Sequence, residues 1–90
     1  MHSNVRELVG HLKDMGVKGT IKGDKVMIGN EERRATLSVA DWADRHWTAN
    51  DQRIDAIDGA DWVYWVAADA RAWVERGEIT YRDMPIRRRR

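Results

Sequence analysis

The stretch Asn4–Asn30, NVRELVGHLKDMGVKGTIKGDKVMIGN, decides how the rest of the chain is interpreted. Its first half carries apolar residues three and four positions apart, which is typical of one buried face of an α-helix. Gly16 stands where a left-handed helix cap favours glycine, and Ser3 or Asn4 is placed to cap the start. Gly10, unfavourable within a helix, suggests that a neighbouring element crosses closely there. The apolar positions are Val5, Leu8, Val9, Leu12 and Met15.

The second half of this stretch predicts a β-hairpin over residues 17–22 and 25–29. Gly23-Asp24 joins the two strands, and glycine at the first central position suits a two-residue primed turn. Alternation of side chains then gives the hairpin one apolar face and one flat, basic face. The apolar face holds Val17, Gly19, Ile21, Val26 and Ile28, and the basic face holds Lys18, Thr20, Lys22 and Met27, with Lys25 near the turn.

The middle of the chain leaves one alternative open. Residues 30–37 form either a polar loop, which we favour, or a third strand through Arg34, Thr36 and Ser38. Ser38 with Asp41 three residues later resembles a capping box, so we predict a second helix that starts there. Residues 48–59 are acidic and irregular. The apolar stripe of the second helix would be Val39, Trp42, Ala43, His46 and Trp47.

A last helix is predicted over residues 60–76, with Gly77 just past its end. Its apolar positions cover a broad arc, with Tyr64 and Trp65 outside it. Residues 79–81 could add a short edge strand. We therefore expect an α+β fold with the order helix–β-hairpin–helix–helix (αββαα), one domain over residues 1–85, and a disordered basic tail over residues 86–90.

Composition excludes several classes of protein. The chain has 90 residues, no cysteine and a net charge of +1, so disulfides and thiolate chemistry are excluded. Residues 38–69 carry two basic and seven acidic side chains, a balance that makes direct nucleic-acid binding unlikely to be its main task. No stretch is long enough for a signal peptide or a membrane span, so we expect a cytoplasmic protein without membrane contact.

The sequence offers no constellation for catalysis. The three histidines show no paired ligand spacing, and both serines fit helix caps without a base to activate them. The aspartate series lacks the ligand spacing of a calcium loop. We expect no enzymatic activity, no cofactor and no metal ion.

Binding to another protein is the function that the sequence favours. The basic hairpin face predicts a docking surface for an acidic peptide, although such lysines can simply protect a strand edge from pairing. The alternative is an acidic surface that blocks a basic, nucleic-acid-binding partner, as in a small phage inhibitor of the anti-CRISPR type. The docking surface comprises Lys18, Thr20, Lys22, Lys25 and Met27; the alternative comprises Asp41, Asp44, Asp51, Asp55, Asp58, Tyr64 and Trp65.

The helix and hairpin also resemble a known family. Leu8 and Leu12 precede Gly16-Val17, and Gly23-Asp24 follows seven residues after Gly16, ahead of Val26 and Ile28. This pattern resembles the TubC-type N-terminal docking domains of nonribosomal peptide and polyketide synthetases. The resemblance implies an αββαα fold, frequent homodimers, and a hairpin that takes the acidic C-terminal peptide of an upstream enzyme. It also implies that Lys18, Lys22 and Lys25 contact that peptide.

Overall fold

Both helices lie on one face of a five-stranded antiparallel sheet in the computed structural model, which describes residues 2–79. The strands follow one another across the sheet in chain order. The predicted α+β class is confirmed, whereas the layout differs from αββαα. The elements are α1 (Ser3–Asp14), β1 (Thr20–Lys22), β2 (Lys25–Gly29), β3 (Arg34–Ser38), a 3-10 turn (Trp42–Asp44), β4 (His46–Ala49), β5 (Gln52–Asp55) and α2 (Trp62–Arg76).

Helix α1 forms as predicted, with a different residue at its start. The Nδ1 atom of His2 accepts the N–H of Asn4 at 3.0 Å, so His2 takes the capping role expected of Ser3 or Asn4. At the other end Gly16 has a φ of 76°, and the N–H of Val17 donates to the carbonyl of Leu12. This is a Schellman cap. A Cβ added at Gly10 would meet nothing within 4 Å, so no element crosses closely there.

The predicted hairpin is present as β1 and β2, although its first strand begins at Thr20 and not at residue 17 as predicted. Lys22 pairs with Lys25 across Gly23-Asp24, and Gly23 has a φ of 62°, as the primed turn requires. Val26 and Ile28 are buried as expected. Ile21 points to the same face but is 41% exposed, because it lies on the edge strand beyond the reach of the helices.

The middle of the chain adds three strands and corrects the sequence prediction. Residues 34–38 form β3, so the polar loop that we favoured is wrong and the alternative third strand is confirmed. The helix predicted from Ser38 is also wrong. Trp47 has 1% exposure in β4, between Leu37 of β3 and Ile54 of β5. In a strand the side chain of Trp47 points into the core, and the side chains of its neighbours His46 and Thr48 point to the opposite face. This alternation fits the segment better than the apolar stripe of a helix does.

The turn between β4 and β5 has its own local cause. Asn50 and Asp51 have φ values of 49° and 87°, the positive pair that a type I′ turn needs. Asparagine and aspartate tolerate this conformation better than most residues. The first part of residues 48–59, which are acidic and irregular in the sequence, therefore forms a tight hairpin.

The core lies between the inner face of the sheet and the two helices. One row crosses four strands through Val26, Leu37, Trp47 and Ile54, each paired with the next. The two helices cover this row with apolar side chains that are almost fully buried. Those side chains are Val5, Leu8 and Leu12 of α1 and Val63, Val66, Ala67 and Ala70 of α2.

Helix α2 confirms the predicted last helix, although it begins at Trp62 and not at residue 60, and Gly77 ends it with a φ of 71°. None of the helices in the described residues is long and apolar enough to cross a membrane. Ile79 belongs to no strand, while the rest of the proposed edge strand and the predicted tail over residues 86–90 lie outside the described residues.

Candidate functional site

The candidate site is the face of the sheet that neither helix covers, which we call the open face. Side chains alternate along each strand, so residues paired across neighbouring strands share this face. One row runs through Lys22, Lys25, Ser38, His46 and Asp55, and the next through Thr20, Met27, Thr36, Thr48 and Arg53. None of these side chains belongs to the apolar core.

The β1–β2 end of the open face carries two lysines, with Asp24 in the turn between them and Asp44 close enough for Lys25 to attract its carboxylate. Lys22 and Lys25 are exposed cross-strand partners, and neither forms an ion pair within residues 2–79. Beside them Thr20 pairs with Met27, whose side chain is half-buried. A shallow groove of about 480 Å³ passes over this area. It is lined by Thr20, Lys22, Met27, Ile28, Gly29, Asn30, Glu31 and Arg34.

Four of the five predicted docking residues therefore share the open face. Lys18 is the exception. It precedes β1 and lines, with Lys13, a second groove of about 390 Å³ between α1 and the sheet edge. The floor of that groove is apolar and includes Val9 and Val17. Lys18 thus belongs to the edge of the sheet and not to its face.

At the β4–β5 end of the open face one arginine bridges two carboxylates. Arg53 donates to Asp44 Oδ1 at 2.7 Å through Nη2 and to Asp55 Oδ1 at 2.8 Å through Nε. The hydrogen bond from Arg53 holds the pKa of Asp44 below its ordinary value of 3.8, and Coulombic attraction from Arg53, His46 and Lys25 acts in the same direction. The same pairing with Asp44, and then with Asp55, raises the pKa of Arg53. These two carboxylates are therefore occupied by a cation of the same chain.

The predicted acidic residues do not form one surface. Asp51 lies in the β4–β5 turn, at the opposite end of β5 from Asp55, with its carboxylate 3.7 Å from Arg34. Asp41 caps the 3-10 turn by accepting the N–H of Ala43 at 2.9 Å. Asp58 is exposed in the loop before α2. The sheet pairing thus separates residues that the sequence grouped by charge alone.

Tyr64 and Trp65 lie on α2, on the opposite side of the molecule from the open face. Tyr64 is 41% exposed and meets His11 of α1 edge to face, with ring centroids 5.4 Å apart. Its other neighbour is the half-buried Trp65, at 5.0 Å. Tyr64 is therefore an exposed aromatic residue, which the sequence had left open. It is remote from Asp44 and Asp55, the two aspartates that pair with Arg53 of β5.

Sequence reasoning missed the residues that only the extra strands bring to the open face. Arg34 lines the groove beside Lys22, and Thr36, His46 and Thr48 continue the rows begun by the hairpin. The alternation of His46-Trp47-Thr48-Ala49 is a period-two signal that could have revealed β4. Asn50-Asp51 is a turn signal that supports the same interpretation.

In the part of the chain that the structure describes, no three His, Asp or Glu side chains are grouped closely enough to hold a metal ion. Comparison of the whole chain with protein-family models, curated proteins and solved structures finds no match.

Proposed function

We propose that this protein is a non-enzymatic docking or adaptor domain that binds an acidic segment of another protein on the β1–β2 end of its open face. The observation that carries this proposal is the position of Lys22 and Lys25. They form a cross-strand pair on the face that neither helix covers, and neither makes a direct ion pair within residues 2–79, although Lys25 attracts Asp44 at longer range. Two such cations attract a carboxylate-rich segment, and the half-buried Met27 offers it an apolar contact.

The free edge of the sheet supplies a second element of recognition. Because Lys22 and Lys25 flank a two-residue turn, they form a hydrogen-bonded pair, and the next pair, Ile21 with Val26, does not. The backbone N–H and C=O of Ile21 consequently point away from β2 toward the edge. An extended acidic segment can add there as a further strand, with its side chains alternating over the lysines.

The helix and hairpin that resemble the TubC-type docking domains are the elements that build this site. In that setting the partner would be the acidic C-terminus of an upstream synthetase, and a cytoplasmic location would follow. The resemblance covers only α1, β1 and β2. The identity of the partner is proposed from this resemblance, whereas the negative charge of the partner is proposed from the lysines.

A labelled peptide of alternating glutamate and leucine with a free C-terminus tests the proposal. Fluorescence anisotropy should detect binding that weakens as salt is added, because exposed charges are screened. Lys22→Glu and Lys25→Glu should each weaken binding by about fivefold, and the pair together by more. Arg6→Glu is the matched control, since Arg6 is exposed on α1, away from the open face.

Two results would overturn the proposal. One is equal affinity for a peptide in which lysine replaces glutamate. The other is a loss of affinity in Arg6→Glu as large as that in Lys22→Glu, which would indicate attraction to net charge without a site. Backbone amide signals of β1 and β2 in a nitrogen-15 NMR spectrum give an independent location for the bound peptide.

A further inference from the structure

Trp42 is an exposed tryptophan that the fold nevertheless holds in place. Its ring meets that of Trp62 edge to face, with centroids 5.4 Å apart, and the guanidinium carbon of Arg45 lies 3.8 Å from its centroid. Arg45 is itself fixed, donating to the carbonyl of Trp42 at 2.8 Å and to that of Ile57 at 3.3 Å. The indole still leaves 46% of its surface in solvent.

A rigid, exposed tryptophan has the properties of an interface anchor. Its large apolar surface contributes to binding when a partner covers it. Because Trp62 and Arg45 already restrict the side chain, covering it costs less conformational entropy than ordering a free side chain.

Two exposed aspartates stand next in the chain to residues that hold Trp42: Asp61 precedes Trp62, and Asp58 follows Ile57, whose carbonyl holds Arg45. Asp41 is not one of them, because its carboxylate accepts the N–H of Ala43 and lies with Lys25 and His46 beside the open face. Asp61 occupies the N-cap position of α2, yet its side chain makes no capping hydrogen bond there. The carboxylate of Asp61 therefore does not cap the helix that it precedes.

From this combination we propose that Trp42 anchors a second interaction surface, which binds a basic segment of a partner protein. We call Trp42, Arg45, Asp58 and Asp61 the Trp42 surface. An arginine or lysine of the partner lies against the exposed side of the indole, where the ring attracts a cation, and the carboxylates pair with it. Apolar side chains beside that cation cover the rest of the ring.

The charge of the Trp42 surface selects this class of partner. A nucleic-acid phosphate would face two carboxylates and one guanidinium that already lies on the ring, so repulsion disfavours it. A bare metal ion is disfavoured because the aspartates in the described residues do not group as a ligand set. The surface is also distinct from the open face, which we propose takes an acidic segment, and the inference does not rest on that proposal.

Nitrogen-15 NMR of the indole N–H signals gives a direct test in the unmodified protein. The probe is a blocked peptide of alternating arginine and leucine, and the control probe has glutamate in place of arginine. We expect the arginine peptide to move the Trp42 signal with a Kd below about 1 mM. The signal of Trp73, whose Nε1 donates to the carbonyl of Arg34 at 2.9 Å, should stay in place.

Variants then separate the aromatic from the acidic contribution. Trp42→Leu should weaken binding by at least about tenfold. The double variant Asp58→Asn with Asp61→Asn should weaken it by about fivefold while the indole remains. Asp14→Asn removes the same kind of exposed charge at the end of α1 and should change the affinity less than about twofold.

The inference fails if the arginine peptide leaves the Trp42 signal unmoved, or if the glutamate peptide moves it equally. It also fails if Asp14→Asn weakens binding as much as the double variant does. Should Trp42→Leu unfold, as judged by circular dichroism, the spectra of the unmodified protein and of the aspartate variants still decide the question.

Discussion

The Oδ1 atom of Asn50 accepts the backbone N–H of Arg34 at 2.6 Å, across sixteen residues of the chain. The Nδ2 atom of Asn50 donates to the carbonyl of Glu32 at 2.9 Å, and its backbone N–H donates to the carbonyl of Arg34. One side chain in the β4–β5 turn thus fixes the start of β3. Asn50 also adopts the positive φ that the turn requires.

We therefore expect Asn50→Ala to destabilise the fold by about 2–3 kcal/mol, since it removes two hydrogen bonds and places alanine at a φ of 49°. Asn50→Gly loses the same bonds without the backbone strain, so it should be more stable than Asn50→Ala by about 1 kcal/mol. Urea denaturation measures both values. Equal stability of the two variants would show that the turn imposes no strain.

Two glycines should respond in opposite ways to alanine. Gly29 has a φ of 95°, and a Cβ there would overlap the carbonyl oxygen of Arg33 and meet Val74 at 3.0 Å. Gly29→Ala should cost about 3 kcal/mol or more, since backbone must shift. Gly10 lies in α1 with open space around it, so Gly10→Ala should stabilise by about 0.5–1 kcal/mol. Thermal unfolding of both variants gives the comparison.

Arg33 is expected to hold the end of α2. Its Nε donates to the carbonyl of Val74 at 3.0 Å and its Nη2 to that of Glu75 at 3.2 Å. These carbonyls belong to the last turn, where a helix lacks its own donors. Arg33→Met should cost about 1–2 kcal/mol and speed hydrogen exchange at the amide of Gly77, which donates to Trp73.

Arg71 provides the control for this experiment. It pairs with Glu75 at 3.1 Å on the exposed face of the same helix. Because such a pair is solvated, Arg71→Met should cost less than about 0.5 kcal/mol and leave Gly77 protected. If Arg71→Met and Arg33→Met had the same effect, the bonds to the last carbonyls would have no special role.

The Asp44–Arg53 pair predicts a specific dependence on pH. The folded state lowers the pKa of Asp44, so the unfolded chain binds a proton to this carboxyl at higher pH than the folded chain does. The pair therefore stabilises the fold above the ordinary pKa of 3.8 and loses this contribution as pH falls through the lowered value. The contribution is small, because both side chains are more than half exposed.

NMR titration of the Asp44 carboxyl measures this shift directly. The midpoint should lie below 3.8 in the unmodified protein and move upward in Arg53→Gln, where only the weaker attractions of His46 and Lys25 remain. Arg71→Gln removes a cation on α2 and should leave the midpoint of the Asp44 titration unchanged. A midpoint insensitive to Arg53→Gln would assign the lowered pKa to another cause.

The proposed binding surfaces were predictable from the sequence to different degrees. Lys22, Lys25, Thr20 and Met27 share a face because a hairpin with a fixed turn sets their alternation locally. Arg34 joins them only through the pairing of β3 with β2. Trp42 fitted the apolar stripe of a helix that does not form, so its exposure could not be inferred before the strands on either side were placed.

Helix α1, the β1–β2 hairpin and helix α2 could be predicted from the amino-acid sequence, because their signals are local. Apolar spacing sets the buried face of each helix, and Gly16, Gly23 and Gly77 supply the positive φ that ends a helix or closes a turn. The strands of residues 34–55, in contrast, depend on contacts between distant parts of the chain. Trp47 fits a helical stripe as well as a strand, and its burial between Leu37 and Ile54 depends on partners distant in the chain. A strand is stabilised by such neighbours, whereas a helix forms its hydrogen bonds within itself.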